Sequence, residues 1–279
     1  MTPANGGPST DHSGELAFAI ALAERAGELL LQRFEKVEHI DYKSAKDVVT
    51  EVDRLSEELI IGAIRAAYPG DGIIAEESGE HASGAGDAPT VGIGRAWVID
   101  PLDGTINYAN GIPFFCVAIA LAEGGVPVVG VIHDPMRGET FAATAEGPAT
   151  LGGRPIEASV KTALSDYVVS MALSGRGVAG RSGAIRKAIR VSRAMGSAAL
   201  SLAYVGNGRF DAFVQQGGLS TWDVAAAGLI AQRGGAHLTD LEGGPWFDLT
   251  RPTRTIGVLA APSSQHPTLL ELVHPSPRP

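Results

Sequence analysis

Residues 97–105 read Trp97-Val98-Ile99-Asp100-Pro101-Leu102-Asp103-Gly104-Thr105, an apolar strand-like run that passes directly into two carboxylates flanking a turn. Ligands of α/β sheets gather at the carboxyl ends of strands, and this reading places Asp100 at such an end. Pro101 restricts the backbone of the turn, while Gly104 lets its amide approach a ligand closely. If a short helix begins near Asp103, the amides of Gly104 and Thr105 form an anion-accepting N-terminus.

Two further stretches repeat the theme. The run Gly72-Ile73-Ile74-Ala75 also ends in acid, with Glu76, Glu77 and then Ser78. Hard divalent cations take several oxygen ligands, and carboxylates from separate strand ends can converge on one point, so Glu76 joins Asp100 and Asp103 as a candidate ligand. The third stretch is Thr221-Trp222-Asp223, which opens the helical run Val224-Ala225-Ala226-Ala227-Gly228-Leu229-Ile230, whose small side chains allow close packing beneath a site. Each acid also has a plain alternative. Asp103 and Asp223 can cap helices, and Asp53 can be the reaching-back acid of a capping box begun by Thr50.

Outward from these stretches, apolar residues at Leu16, Ile20, Ala23, Leu30 and Phe34 predict a helix over 15–34, and Val52, Leu55, Leu59 and Ala63 predict a second over 50–68, ended by Pro69-Gly70. Short apolar runs predict strands at 72–75, 95–99, 114–121, 126–133 and 139–143, with a surface loop over 79–94. The remainder alternates: strands near 167–173, 189–192, 210–214 and 255–260, with helices after Gly183 and over 197–205, 223–233 and 263–273. The expected fold is therefore layered α/β, with a helix pair and antiparallel sheet in residues 1–150 and a smaller mixed sheet with helices in 151–279, meeting near Gly147 to Arg154.

The composition bounds the function. Asp and Glu outnumber Lys and Arg, 31 to 22, for a formal net charge of -9. That field opposes nucleic-acid binding, and it makes a cation held among carboxylates a natural bridge to any phosphorylated substrate. The single cysteine, Cys116, excludes an intrachain disulfide and reads as a buried strand residue. The seven histidines show no paired metal-ligand spacing. With neither a signal peptide nor an 18-residue apolar span, a cytoplasmic location without membrane contact is expected; both chain ends, 1–13 and 274–279, read as mobile.

Taken in order, the motifs resemble the inositol monophosphatase family of magnesium-dependent, lithium-sensitive phosphatases. The resemblance spans nearly the whole chain: Lys46-Asp47-Val48-Val49-Thr50-Glu51-Val52-Asp53, Ala75-Glu76-Glu77-Ser78, Asp100 to Thr105 with Asn107 and Tyr108, Gly196-Ser197-Ala198-Ala199, Trp222-Asp223 and Gly234-Gly235. It implies the αβαβα sandwich shared with fructose-1,6-bisphosphatases. It also implies two or three Mg²⁺ per site, replaceable by Mn²⁺, on Glu76, Asp100, Asp103, Asp223 and the Leu102 carbonyl, with Glu77 behind them. Asp53 and Thr105, with Glu76, would serve the nucleophilic water, and Gly104 and Thr105 the phosphate. Asp103, Ser197, Ala198, Gln216 and Asp223 would contact substrate, and the stretch 43–46 would belong to a loop completing a weaker metal site.

The function so implied is hydrolysis of a phosphate monoester of a small polyol or sugar, inositol monophosphate first, by direct attack of metal-activated water in a homodimer. Alternatives within the superfamily are fructose 1,6-bisphosphate, histidinol phosphate or a 3′-phosphorylated nucleotide; the non-enzymatic alternative is a regulatory partner of the transcription machinery. One departure stands out: family members that prefer inositol phosphate carry glutamate where this chain has Gln216.

Overall fold

The computed structural model describes residues 11–36, 40–44, 47–81, 94–173, 178–251 and 253–273. The C-terminal end, most of the N-terminal end, most of the 79–94 loop, Ala45, Lys46 and His39 lie outside the described residues.

In chain order the elements are α1 (Ser13–Arg33), β1 (Ile40–Ser44), β2 (Asp47–Thr50), α2 (Glu51–Ala67), β3 (Gly72–Ala75), β4 (Gly79–His81), β5 (Arg95–Asp103) and α3 (Thr105–Ala109). Then come β6 (Cys116–Glu123), β7 (Val126–Asp134), β8 (Glu139–Thr144), β9 (Thr150–Leu151), β10 (Arg154–Pro155), β11 (Val168–Ala172), α4 (Val178–Ala188), β12 (Val191–Arg193) and α5 (Ala198–Gly206). The last elements are β13 (Ala212–Leu219), α6 (Thr221–Arg233), β14 (His237–Thr239), β15 (Ile256–Ala261) and α7 (His266–Val273). Strands β3 to β10 form an eight-stranded sheet in the order β10-β9-β8-β7-β6-β5-β3-β4, antiparallel except at β3/β5. Strands β11 to β15 form a five-stranded mixed sheet in the order β12-β11-β13-β15-β14.

The period-2 alternation of buried strands sorts these sheets into layers. In β5, Trp97 and Ile99 join Leu22, Ala26 and Leu30 of α1 and Ile60 and Ile64 of α2 in one core. Ala96 and Val98 point the other way, into a second core with Leu200 and Leu202 of α5 and Ala225, Ala226 and Leu229 of α6. That second core also takes Phe213 and Val258 from the smaller sheet, whose outer face packs on α4 and α7 through Ile185, Leu269 and Val273. The result is α1α2, large sheet, α5α6, small sheet, α4α7: the expected αβαβα sandwich.

Close approach of α6 to the large sheet depends on small residues on both sides. The sheet presents Ala118, Ala120 and Ala122, and a Cβ on Gly130 would lie 2.7 Å from the carbonyl oxygen of Ala226. The alanine run of α6 is thus held against the sheet with its N-terminus at the interlayer cavity.

Two local expectations are corrected. Of the expected stripe Val52, Leu55, Leu59 and Ala63, Val52 is buried and Leu59 and Ala63 pack at the edge of the core, but Leu55 is 38 % exposed, and the buried positions are Val52, Asp53, Ser56, Glu57, Ile60, Ile61 and Ile64. Polar side chains are tolerated there because each is hydrogen-bonded within the site described below. The second correction concerns β5, which does not stop at Asp100. Pairing with β6 passes from Asp100↔Ala118 to Asp103↔Cys116, so Pro101 and Leu102 sit in a bulge. Proline, which has no amide to give the ladder, is accommodated there, and the Ser56 hydroxyl donates to its carbonyl at 3.0 Å.

Candidate active site

The β5 bulge aims its two acids into a cavity of about 410 Å³ between the two sheets. Its wall includes Glu76 just after β3, Asp100, Leu102 and Asp103 of β5, Gly104, Thr105, Ser197 and Ala198, and Asp223 in the first turn of α6. Asp100, Asp103 and Asp223 each offer a carboxylate oxygen, and the three oxygens lie within 4.8 Å of one another. Two segments distant in sequence, the β5 bulge and the first turn of α6, therefore meet at the spacing of a shared cation.

Each carboxylate is held by its own scaffold. Asp100 accepts the Leu102 amide at 3.0 Å, inside the bulge. Asp103 crosses between layers: it accepts the Ala199 amide at 2.8 Å, the Ala198 amide at 3.3 Å and the Ser197 hydroxyl. Asp223 accepts the Ser220 amide at 2.5 Å, so its capping and site roles coincide. Glu76 is positioned from behind. The buried Glu57 of α2 accepts the amides of Glu77 and Ser78, one on each oxygen at 2.8 Å, and so fixes the turn that follows Glu76. Glu77 itself lines a separate surface depression with Arg54, Glu57 and Arg65.

Burial and mutual repulsion make this group costly as bare anions. Burial pushes the Asp100 carboxyl well above the ordinary range, and the charges of Glu76, Asp103 and Asp223 push it further. Burial also raises Asp103, against the hydrogen bonds from Ser197 and the α5 amides. The donor set is all oxygen, multiply anionic and drawn from rigid elements, which fits a hard divalent cation such as Mg²⁺. Burial raises the Cys116 thiol too, and it stays a core residue beside Asp103.

Behind the cavity wall, Asp53 is fully buried and splits its oxygens. One accepts the Thr50 amide at 2.8 Å, as its half of the capping box of α2, and also the Thr50 hydroxyl at 2.5 Å. The other accepts the Thr105 hydroxyl at 3.0 Å; that hydroxyl also lies 3.1 Å from the Leu102 carbonyl. Asp53 thus reaches the cavity only through Thr105. Burial raises its pKa, opposed by the hydrogen bonds from Thr50 and Thr105.

Gly104 begins α3 with φ +97°, and a Cβ there would lie 3.1–3.2 Å from the Phe114 carbonyl, Phe115 and Ser197. Glycine is required on both counts. The side chain of Asn107 then donates to the carbonyls of Phe114 (2.7 Å) and Met195 (2.8 Å), tying the α3 turn to the segment that leads into α5.

Gln216 is not among the residues lining the cavity; Gln215 is. The pleat decides this, because Phe213 and Gln215 share the inward face of β13 and counting back from Asp223 lands one residue off it. Ser170 of β11 and Arg254 before β15 are also on the wall, without any sequence signal. Arg193 is exposed and Trp222 packs against the central core, as an aromatic residue opening a helix commonly does.

A sandwich of five layers with oxygen donors gathered between its sheets belongs to the class of layered α/β phosphatases. Within that class the chain is a member of the inositol monophosphatase family, whose profile matches residues 11–278. It is 37% identical over 249 residues to the Nus factor SuhB of Pseudomonas aeruginosa, covering 83% of this chain and 87% of that one. It is 36% identical over 233 residues to the fructose-1,6-bisphosphatase/inositol-1-monophosphatase of Thermotoga maritima, covering 82% and 85%. Among solved structures, the extragenic suppressor protein suhB of Bartonella henselae superposes with a TM-score of 0.85 at 30% identity, over 94% of this chain and 99% of that one. Among the described residues no helix is long and apolar enough to cross a membrane.

Proposed function

We propose that the chain is a Mg²⁺-dependent phosphatase that hydrolyses the phosphate monoester of a small polyol or sugar, with inositol monophosphate as the first candidate. The observation that carries the reading is the convergence of Asp100, Asp103 and Asp223 within 4.8 Å, beside the Thr105–Asp53 pair. Glu76, Asp100, Asp103, Asp223 and the Leu102 carbonyl would hold two or three ions. When bound, Mg²⁺ neutralises phosphoryl charge, lowers the pKa of water and stabilises the departing alkoxide.

The protein's own groups do the rest. The Thr105 hydroxyl, oriented by Asp53, holds the attacking water, and Asp53 takes up proton density through that hydroxyl. Amides at the start of α3, which lack intrahelical acceptors, face the phosphate oxygens. Ser197 and Ala198 border the leaving group. Attack is direct, without a phosphoenzyme, and the enzyme works as a cytoplasmic homodimer.

The test is a panel of phosphate esters, including inositol monophosphate, assayed with Mg²⁺ and with EDTA. Hydrolysis that requires Mg²⁺ and falls at least 100-fold in Asp223→Asn is expected. Turnover indifferent to EDTA, or undiminished in that variant, removes the reading, and a trapped covalent phosphoprotein removes direct attack. A second reading, contact with the transcription machinery, is favoured by the likeness to a protein named a Nus factor. It predicts stable capture of polymerase components by the pure protein.

A further inference from the structure

One wall of the cavity belongs to the smaller sheet and has chemistry of its own. Strands β11 and β13 run parallel with Ser170↔Phe213 and Ala172↔Gln215 in register, and all four of these residues line the cavity. Past them β13 breaks at Gly217 and Gly218, both with positive φ, before pairing with β15 resumes at Leu219↔Ile256. Arg254, an exposed residue just ahead of β15, bridges this break with its backbone. Its carbonyl accepts the Gly218 amide at 2.9 Å, and its own amide donates to the Ser220 hydroxyl at 3.0 Å.

Three features set Arg254 apart. It is the one cationic side chain among the described residues lining a cavity that also holds Glu76, Asp100, Asp103 and Asp223. Its backbone is left-handed, φ +61°, in a residue without the glycine or asparagine chemistry that favours that region. Such outliers persist where the surroundings over-determine them, and they cluster at ligand-handling sites. Finally, it stands on the β11/β13/β15 wall, whereas Asp100, Asp103, Gly104 and Thr105 come from the β5–α3 turn. The phosphoryl end and the guanidinium thus belong to different walls.

We infer that Arg254 is a specificity-determining residue that pairs with a second anionic group, a carboxylate or another phosphate, on the leaving group of the ester. The inference rests on the phosphatase reading. A guanidinium presents a planar fork of N–H donors that matches either oxyanion in bidentate fashion. Gln215 and Ser170 on the same wall supply neutral hydrogen bonds for the hydroxyls between the two anionic ends.

The experiment compares matched esters with Mg²⁺: glycerol 2-phosphate against 2-phosphoglycerate, which adds a carboxylate, and fructose 1-phosphate against fructose 1,6-bisphosphate, which adds a phosphate. The pair showing the larger preference names the source of the anion. The wild type is expected to favour the doubly anionic member of at least one pair by tenfold or more in kcat/KM. Arg254→Gly suits the left-handed backbone and removes only the side chain, and an unchanged melting temperature certifies its fold. It is expected to lose at least ten times more kcat/KM on the anionic ester than on its partner, and Arg254→Lys should restore part of the preference.

Equal rates on both members of each pair in the wild type refute the role of Arg254 while leaving the phosphatase intact. Equal losses on both members in Arg254→Gly, with a raised Mg²⁺ requirement, refute it in favour of a salt bridge to a cavity acid. No hydrolysis of any ester by the wild type defeats the underlying reading instead.

Discussion

Glu57→Gln is the most informative single change, because Glu57 touches neither substrate nor cavity yet sets where Glu76 points. Its two oxygens each accept a backbone amide at 2.8 Å, and the residue is only 3 % exposed. Glutamine keeps one acceptor, without charge, and turns an NH₂ toward the other amide. One charge-assisted hydrogen bond worth roughly 1.5–3 kcal/mol is lost, the other weakens to about 1 kcal/mol, and a buried N–H is left unsatisfied. The two bond changes alone come to a destabilisation of about 2–5 kcal/mol, and the unsatisfied amide adds to it, to be read from urea unfolding of the metal-free protein. If about 1.4 kcal/mol of this falls on the placement of Glu76, the Mg²⁺ concentration for half-maximal hydrolysis rises roughly tenfold. The two readouts separate a positioning role from a merely structural one. A loss below about 0.5 kcal/mol with an unchanged Mg²⁺ dependence would refute the reasoning.

Other consequences are as direct. Gly104→Ala places a Cβ 3.1–3.2 Å from three neighbours at φ +97° and is expected to cost about 2–3 kcal/mol, measurable by calorimetry, together with most of the activity. Saturating Mg²⁺ should raise the melting temperature of the wild type, by about 2.7 kcal/mol of stability at one hundred times Kd, and raise that of Asp100→Asn far less. The Arg209 fork holds the Glu139 carboxyl down to about 2, from an ordinary value of 4.5. A carboxyl depressed in the folded state contributes fully above its unfolded pKa. About 1–2 kcal/mol, after solvent screening, should therefore be lost between pH 4.5 and 2, and Glu139→Gln should flatten that part of the stability profile.

What could be read from the sequence follows from how visible each element's burial is. Strands β3 and β5 to β8 are continuous apolar runs, and α1, α5 and α6 carry long apolar stretches, so the αβαβα layering follows. The β1/β2 pair is rich in charged and hydroxyl residues, and β9, β10 and β14 are two or three residues long, too short for any period to register. The inward face of α2 was only partly visible because its core-side positions include Asp53, Ser56 and Glu57, whose burial rests on hydrogen bonds rather than on hydrophobicity. The convergence of Asp100, Asp103 and Asp223 was legible from motifs. Ser170, Gln215 and Arg254 were not, since only strand pairing in the smaller sheet brings them to the cavity.

The crossing of Asp103 from the large sheet to the first turn of α5 has a consequence for the chain as a whole. The proposed reacting centre doubles as a rivet: prising the sheets apart and dismantling that centre are the same event. Severing the chain at the Gly152-Gly153 turn between β9 and β10 would leave Glu76, Asp100 and Asp103 on one piece and Asp223 on the other. Neither fragment would own a working centre, so restored turnover on mixing would directly report their reunion.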